Sequence, residues 1–442
     1  MDKIVMCSSG LPWRFTSKRV TAWGGLRLIE EMLRRIKFGA ALAQAGLPQP
    51  GSNRGVDPVV VVHGFLVSVW IGAVRFAHTA ALRFDPALRA LFGLEAVPSV
   101  STFTRFFRRF GQKQVDAVFG HMGRWFWGQV APQLLTLDLD STVVTRYGQH
   151  QEGAEIGYNP RRRGKPSHHP LLAFAAEVRM VVSAWLRPGK TQAACNVEAF
   201  LNEVLALLQP RHRIGLVRGD CGFCTSGMLA QLERNALNYI VVGRMLPTVR
   251  RLVSAINNWV ELGEGLAVAE CQYQMSNWSQ PRRLVVVRHR LMERAGGALL
   301  LEVPAYGYSL YLTNLTLPAL EVWRLYRGRA DSENRIKELL YDFGLRGFAS
   351  QSFWATEAAF RAVLLAYNLM ALFRQLVLGT AARHTMSTLR FQCFAIGASL
   401  GREGRRQVLR LGLSPPKRPW FEGLFAAAQQ IVPPWLTPSP QT

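Results

Sequence analysis

The sequence predicts an α/β protein: a mixed-sheet core preceded by an all-helical N-terminal domain, interrupted by a β-rich insertion and followed by a helical C-terminal region. Three observations lead there. Apolar residues recur at helical spacing up to about residue 130, strand-like runs bounded by Gly, Pro or Asn take over from 132, and helical spacing returns after 320. A chain of 442 residues is too long for one small core, so two to four domains are expected, and 49% hydrophobic residues supply the material to bury.

The N-terminal domain is assigned to residues 1–130, where "GGLRLIEEMLRRIKFGAAL" and "VDAVFGHMGRWFWGQV" repeat apolar residues at three and four. "PVVVVHGFLVSVWIGAV", from Pro58, falls short of the ~20 residues of a membrane span and carries His63, so it reads as a buried helix. "DPALRALFGLEAVPSVSTFTRFFRRFG" reads as a short helix, a turn holding Gly93 and Pro98, and a second helix capped by Ser99 or Ser101, in the manner of a helix-turn-helix. Phe103, Phe106, Phe107 and Phe110 give that second helix a packing face and leave Arg105, Arg108 and Arg109 outward. Those arginines suit DNA phosphate or groove contacts, and equally an ordinary solvated basic helix.

The first part of the core spans 131–245, with strands expected at 133–140, 169–177, 179–186, 213–220 and 239–245. "NVEAFLNEVLALL" precedes the fourth strand and "TSGMLAQLERNA" the fifth. Three strands in succession, then helix, strand, helix, strand, is the order of an RNase H-like core, a mixed sheet with helices on its faces. Residues 246–316, with "LAVAECQYQM", "RRLVVVRHRL" and "ALLLEV", read as an inserted β-rich subdomain. Helices around 321–343 and 356–378 complete the core within 317–380 and leave a basic, Pro-containing region at 381–442; no internal repeat is evident.

Lys and Arg number 53 against 29 Asp and Glu, a net charge of +24, which favours a polyanionic partner, nucleic acid ahead of an anionic membrane. The opening "MDKIVMCSSGLPWRF" lacks a continuous apolar segment and the six cysteines are scattered, so the expected location is a reducing cytoplasm and no membrane is expected as partner. Cys221 and Cys224 form a lone C-x-x-C with no second pair at zinc-finger spacing and read as packing residues.

Against that basic background the acids stand out. In "LLTLDLDSTVV" strand alternation places Leu135, Leu137 and Leu139 on one face and Asp138 and Asp140 on the other, about 7 Å apart at ~3.3 Å per residue. Two carboxylates beside apolar walls need a proton or a cation, most commonly a hard divalent one, unless one caps a turn and the other is solvated. Asp220, in "RIGLVRGDCGFC", again sits where a strand stops. In "VWRLYRGRADSENRIKELLYDFG", Tyr326, Arg329, Glu333 and Lys337 fall on a helical stripe about 80° wide, with Asp331 and Glu338 off it. Taken alone, such a stripe also describes an exposed ion-pair ladder.

"DST" at 140–142, "DCGF" at 220–223 and "YRGRADSENRIKEL" from Tyr326 resemble the three acidic motifs of bacterial insertion-sequence DDE transposases, specifically the group with a Tyr-x2-Arg-x3-Glu-x6-Lys signature. "GYNPRRRGKPSHHPLLAF" and "YLTNLT" extend the resemblance to residues 26–378. It implies an RNase H-like core with a β-strand insertion, Asp140, Asp220 and Glu333 as a catalytic triad that binds Mg²⁺ or Mn²⁺, and Asp138 as a neighbour tuning the site. Tyr326 and Arg329 would contact phosphate near the cleaved end. The signature lysine is Leu340 here, so either Lys337 takes over its contact or this copy is impaired. The implied activity is cut-and-paste transposition by a homodimer on double-stranded DNA: cleavage at terminal inverted repeats, a hairpin end, then strand transfer. All-oxygen ligands suit two metal ions clamping an in-line displacement.

Other features carry paired readings. Arg161, Arg162, Arg163 and Lys165, in the loop "NPRRRGKPSHHP", would clamp a DNA backbone or simply be solvated. The adjacent His168 and His169 point to opposite faces of a strand, against a shared zinc. Trp259, Trp278 and Trp323 would stack on a flipped base or pack in the core. Two further functions stay open: an RNase H-like nuclease without strand transfer, and a non-catalytic DNA-binding protein derived from a transposase.

Overall fold

The computed structural model describes residues 5–6, 11–290, 306–379 and 384–432. A short strand, β1 (Arg19–Thr21), is followed by α1 (Arg27–Arg35), α2 (Pro58–Trp70), α3 (Pro86–Leu91), α4 (Val100–Phe107) and α5 (Gln112–Trp127). Capping explains several of these starts. Asp57 accepts from the Val59 N–H with Pro58 in the first turn of α2, and Asp85 does the same for α3 through Leu88. Ser99 is the cap of α4, accepting from the Thr102 N–H at 3.1 Å. Helix α3, its turn and α4 form the expected pair, but α4 ends at Phe107, so that Arg108, Arg109 and Phe110 follow it in a turn; the four phenylalanines are buried and Arg105, Arg108 and Arg109 exposed.

The sheet starts with β2 (Leu134–Ser141), β3 (Leu171–Ala175) and β4 (Met180–Trp185), then alternates α6 (Val197–Leu208), β5 (Arg213–Gly219), α7 (Ser226–Arg234) and β6 (Tyr239–Val242). Its order is β4-β3-β2-β5-β6, with β3 antiparallel to β2 and β4, and β2, β5 and β6 parallel. That is the succession expected from the sequence.

The segment at 246–316 is continuous with this sheet rather than set apart from it. Strands β7 (Val260–Gly263), β8 (Leu266–Tyr273), β9 (Arg282–Arg290) and β10 (Tyr306–Thr313) run antiparallel, and β10 pairs with β6 to give nine strands. Pairing removes an edge at β6 that would otherwise bare a row of backbone donors and acceptors. The expected strand "ALLLEV" lies outside the described residues.

The helix expected at 321–343 breaks at Gly328 and Arg329 into α8 (Ala319–Arg327) and α9 (Ala330–Tyr341). Helix α8 covers a small cluster of Leu216, Ile240, Val285, Val287 and Tyr311 on one face of the sheet. The other face packs on α10 (Phe353–Phe373), in which every residue from Ala355 to Phe373 except Arg361 is buried. Phe353–Leu378 is long and apolar enough to cross a membrane, yet 72% of its apolar 18-residue stretch is buried inside the protein, as befits a core helix. The Trp70 indole of α2 donates to the Ala366 carbonyl at 3.1 Å, and the Asn368 amide bonds both the N–H and C=O of Val181, fixing β4.

The ends of the chain correct the expectation of purely helical termini. After α10 the chain forms a hairpin, β11 (Ala398–Glu403) and β12 (Arg406–Leu411), and then α11 (Arg418–Gln429). Strand β11 also pairs with β1, so the first and last segments share one three-stranded sheet. Gly404, at φ +60°, supplies the left-handed residue of the two-residue turn closed by Glu403 and Arg406. Helix α11 packs on α1, with the Arg27 guanidinium 4.8 Å from the Phe425 ring, and one apolar cluster runs from Leu26 to Ala428.

Candidate active site

Strands β2 and β5 are adjacent and parallel with Leu139 opposite Gly219, so the residues that follow each, Asp140 and Asp220, emerge at the same edge of the sheet. The face assignment of the sequence holds: Leu135, Leu137 and Leu139 are buried in the main core and the aspartates point away from it. Asp220 opens a short 3-10 turn and accepts from the Gly222 N–H at 2.8 Å. Asp140 accepts from the Ser141 N–H at 2.8 Å. A cleft of about 420 Å³ brings Asp140 and Asp220 together with Ser141, Arg161, Tyr326, Arg329, Glu333, Lys337 and Leu340.

Helix α9 positions the third acid. Glu333 lies in its first turn, where the exposed backbone N–H groups favour negative charge. The break before α9 places Arg329 beneath it, and Arg329 Nη2 lies 3.1 Å from Asp140 Oδ2 while donating to the Leu139 carbonyl at 3.0 Å. Burial pushes the Asp140 carboxyl up to about 6; Arg329 opposes the rise, and Asp220 and Glu333 add to it. Burial also works against the Arg329 charge, but Asp140, Tyr326 and Asp220 outweigh it and hold its pKa above the usual value. The Tyr326 hydroxyl is pushed up to about 12 by burial, and its ring packs 4.8 Å from that of Tyr311. The cleft therefore carries more negative charge than its one buried guanidinium offsets.

Asp138 has a different role. It pairs with Arg218, opposite it across β2 and β5, through Nε to Oδ1 at 2.6 Å and Nη2 to Oδ2 at 2.8 Å, both side chains buried. Arg218 Nη1 also donates to the Leu325 carbonyl at 2.5 Å, fastening the end of α8 to the sheet one residue before Tyr326. Arg218 was not singled out by sequence, though a signal existed: it stands two residues before Asp220 as Asp138 stands two before Asp140, and residues two apart share a strand face. Glu338, off the helical stripe as expected, is buried and accepts from Arg335, Arg374 and the Met386 N–H, anchoring α9 to the core.

Other candidates are dispersed. Of the basic loop only Arg161 lines the cleft; Arg162 and Arg163 are exposed beside it, and Lys165 borders a separate hollow with Arg146 and Tyr147. His168 is held by Arg146 and the Glu152 carbonyl, and His169 by the Thr191 carbonyl, so both are structural. None of the three tryptophans lines the cleft, and each has an arginine over its ring: Arg288 at 4.3 Å from Trp259, Arg282 at 4.8 Å from Trp278, Arg327 at 5.1 Å from Trp323. Trp278 is buried as well. Arg105 lies on α4 and Arg108 and Arg109 in the turn that follows it, all outside the cleft.

Among the described residues no three His, Cys, Asp or Glu side chains stand close enough to hold one ion in common. The donor chemistry nevertheless fits a hard divalent cation, since three carboxylates open into one cleft and the Asp140 charge is only partly met by Arg329. An acid near the end of one strand, an acid just after its parallel neighbour and a third in the first turn of a helix thus open into one cleft. The family model described as "Transposase DDE domain group 1" matches residues 7–433, and the chain belongs to that family. Among solved structures, the cryo-EM structure of a piggyBac transposase synaptic complex with hairpin DNA is similar at 11% identity and a TM-score of 0.48, over 85% of this chain and 81% of that one. No curated protein sequence matches the chain.

Proposed function

We propose that the protein is the DNA transposase of a bacterial insertion sequence, binding terminal inverted repeats and cutting and joining DNA at the Asp140, Asp220 and Glu333 cleft. The observation that carries this is the convergence of those three acids with Tyr326, Arg329 and Lys337 in one cleft of a strongly basic chain. Family membership and the strand order, which is that of an RNase H-like core, support it. Asp140, Asp220 and Glu333 would hold Mg²⁺ or Mn²⁺, which when bound activates an oxygen nucleophile and stabilises the leaving oxygen of a phosphodiester. The chain's own part is positioning. Arg161 and Lys337, exposed at the cleft, and Tyr326 and Arg329, deeper in it, supply donors for the phosphates on either side of the cut bond. Outside the cleft, Arg105 on α4 and Arg108 and Arg109 just after it would hold the end duplex. A hairpin end, strand transfer by a homodimer, and a cytoplasmic setting at the nucleoid complete the reading.

Lys337 favours activity over an impaired copy, because it is exposed in the cleft one turn after Glu333, whereas Leu340 borders the cleft from the buried core cluster. The test is a labelled duplex taken from the DNA flanking the gene, incubated with protein and Mg²⁺ or Mn²⁺. Cleavage at the ends of a short inverted repeat is expected. Binding without cleavage would support the non-catalytic reading, and cleavage without joined products the nuclease.

A further inference from the structure

We propose that the sheet formed by β1, β11 and β12, which joins the two ends of the chain, is a second DNA-binding surface that grips the duplex backbone beside the helix-turn-helix. The inference rests on the transposase reading and adds to it a surface outside both the cleft and α4.

Charge is the first reason. Residues 11–23 and 398–418 carry nine Lys and Arg against one acid, a net +8, so a third of the chain's +24 sits on 34 of its 442 residues. Arg14, Lys18 and Arg19 on one side and Arg402, Arg405 and Arg406 on the other are all exposed. Among the described residues, Arg410 alone of the nine has an acid partner, Glu403 at 3.2 Å, and that pair is itself exposed. Cations gathered at this density without counter-ions from the protein repel one another, and an outside polyanion relieves the repulsion.

Geometry is the second. Ala398 and Thr21, paired across β11 and β1, are buried against the body of the protein. The alternate residues, Val20, Ser399, Gly401 and Arg410, therefore form the outer face. Its centre is low: a Cβ at Gly401 would come within 2.8 Å of Arg410 Nη1, so glycine is what lets that guanidinium lie flat across the strand. At the hairpin tip Arg406 continues this face, Arg405 sits in the turn and Arg402 extends from the opposite face, all three exposed. Two-stranded ribbons with such tips are the β counterpart of a recognition helix. Trp13 and Phe15, exposed and edge-to-face at 5.3 Å, add aromatic surface of the kind that packs on nucleotides.

Position is the third. Thr21 Oγ1 donates to Asp85 Oδ2 at 2.6 Å, and Asp85 is the cap of α3, the first helix of the helix-turn-helix. The basic sheet is thereby fixed to the element that would carry sequence reading, and one duplex can meet both.

The test measures how affinity for a duplex of about 40 base pairs from the DNA flanking the gene depends on salt, by fluorescence anisotropy. Arg402, Arg405 and Arg406 are changed together to Ala; a second variant changes all three to Lys, and a control changes the exposed Arg234, Arg250 and Arg251 to Ala. With about 0.9 of slope per phosphate contact, the first variant should lose about 2.7 from the log–log salt slope. Between about 50 and 200 mM salt the wild type should then lose about 40-fold more affinity than that variant. The Lys variant should keep the slope, since charge and not fold is being read. Three results overturn the proposal: an unchanged slope in the Ala variant, an equal loss in the control, or an equal loss in the Lys variant. A flat salt dependence of the wild type would instead remove the DNA-binding reading itself.

Discussion

Replacing Asp138 by alanine takes away one carboxylate and strands one guanidinium. Arg218 is 5% exposed and spends two of its three nitrogens on Asp138, so in Asp138→Ala its charge keeps only the Leu325 carbonyl. Removing one partner of a buried pair costs about 3–5 kcal/mol, a large part of the ~5–15 kcal/mol that holds a typical domain together. The double variant Asp138→Leu with Arg218→Met removes both charges. Its expected cost is about 1–3 kcal/mol, the worth of the donor lost by the Leu325 carbonyl, because an apolar pair of similar volume is often no worse than a buried ion pair. Urea denaturation followed by circular dichroism on the two single variants and the double gives the coupling energy. Asp138→Ala within about 1 kcal/mol of wild type, or a double variant as unstable as the two singles summed, would refute the account of Asp138 as the partner of Arg218.

Lys337→Ala should lower cleavage of the end duplex by roughly 10- to 150-fold, the worth of a charge-assisted phosphate contact of about 1.5–3 kcal/mol. Leu340→Lys should give little gain and should melt earlier, since Leu340 packs in the core cluster where that cluster borders the cleft; a rise in activity there would restore the impaired-copy reading. Reversing Arg105 and Arg109 to Glu should abolish the specific shift of an inverted-repeat probe while the protein stays folded, and unchanged binding would return α4 to an ordinary solvated helix. His63, enclosed between Phe38 and Phe92, has its pKa lowered by burial from 6.5 to about 4. The unfolded chain takes up that proton first, so this stability is whole above pH 6.5 and falls as pH drops toward 4, by about 3 kcal/mol. His63→Leu should flatten that part of the profile, and an unaltered profile would contradict it.

Where periodicity carries information the sequence was legible. Period two separated the leucines of β2 from its aspartates, and period 3.6 separated Glu333 and Lys337 from the buried Glu338. Pairing between distant strands was less legible. Arg218 is as visible in the sequence as Asp138, but only the β2–β5 register shows that they meet. The hairpin β11–β12 escaped because its strands are rich in Arg and poor in β-branched residues, so "GREGRRQVLRL" reads as a charged tail until Gly404 is seen to turn it. The helix α10 was expected, but its place at the centre of the core was not, because burial on every side depends on which elements come to cover it.

The most direct test of the central claim compares Asp140→Ala, Asp220→Ala and Glu333→Ala in one experiment that scores both binding and Mg²⁺- or Mn²⁺-dependent cleavage of the end duplex. Each variant should bind as the wild type does and fail to cleave, because these acids serve the chemistry and not the grip. Cleavage retained by any of the three would remove that residue from the site, and cleavage retained by all three would place the reaction elsewhere in the protein.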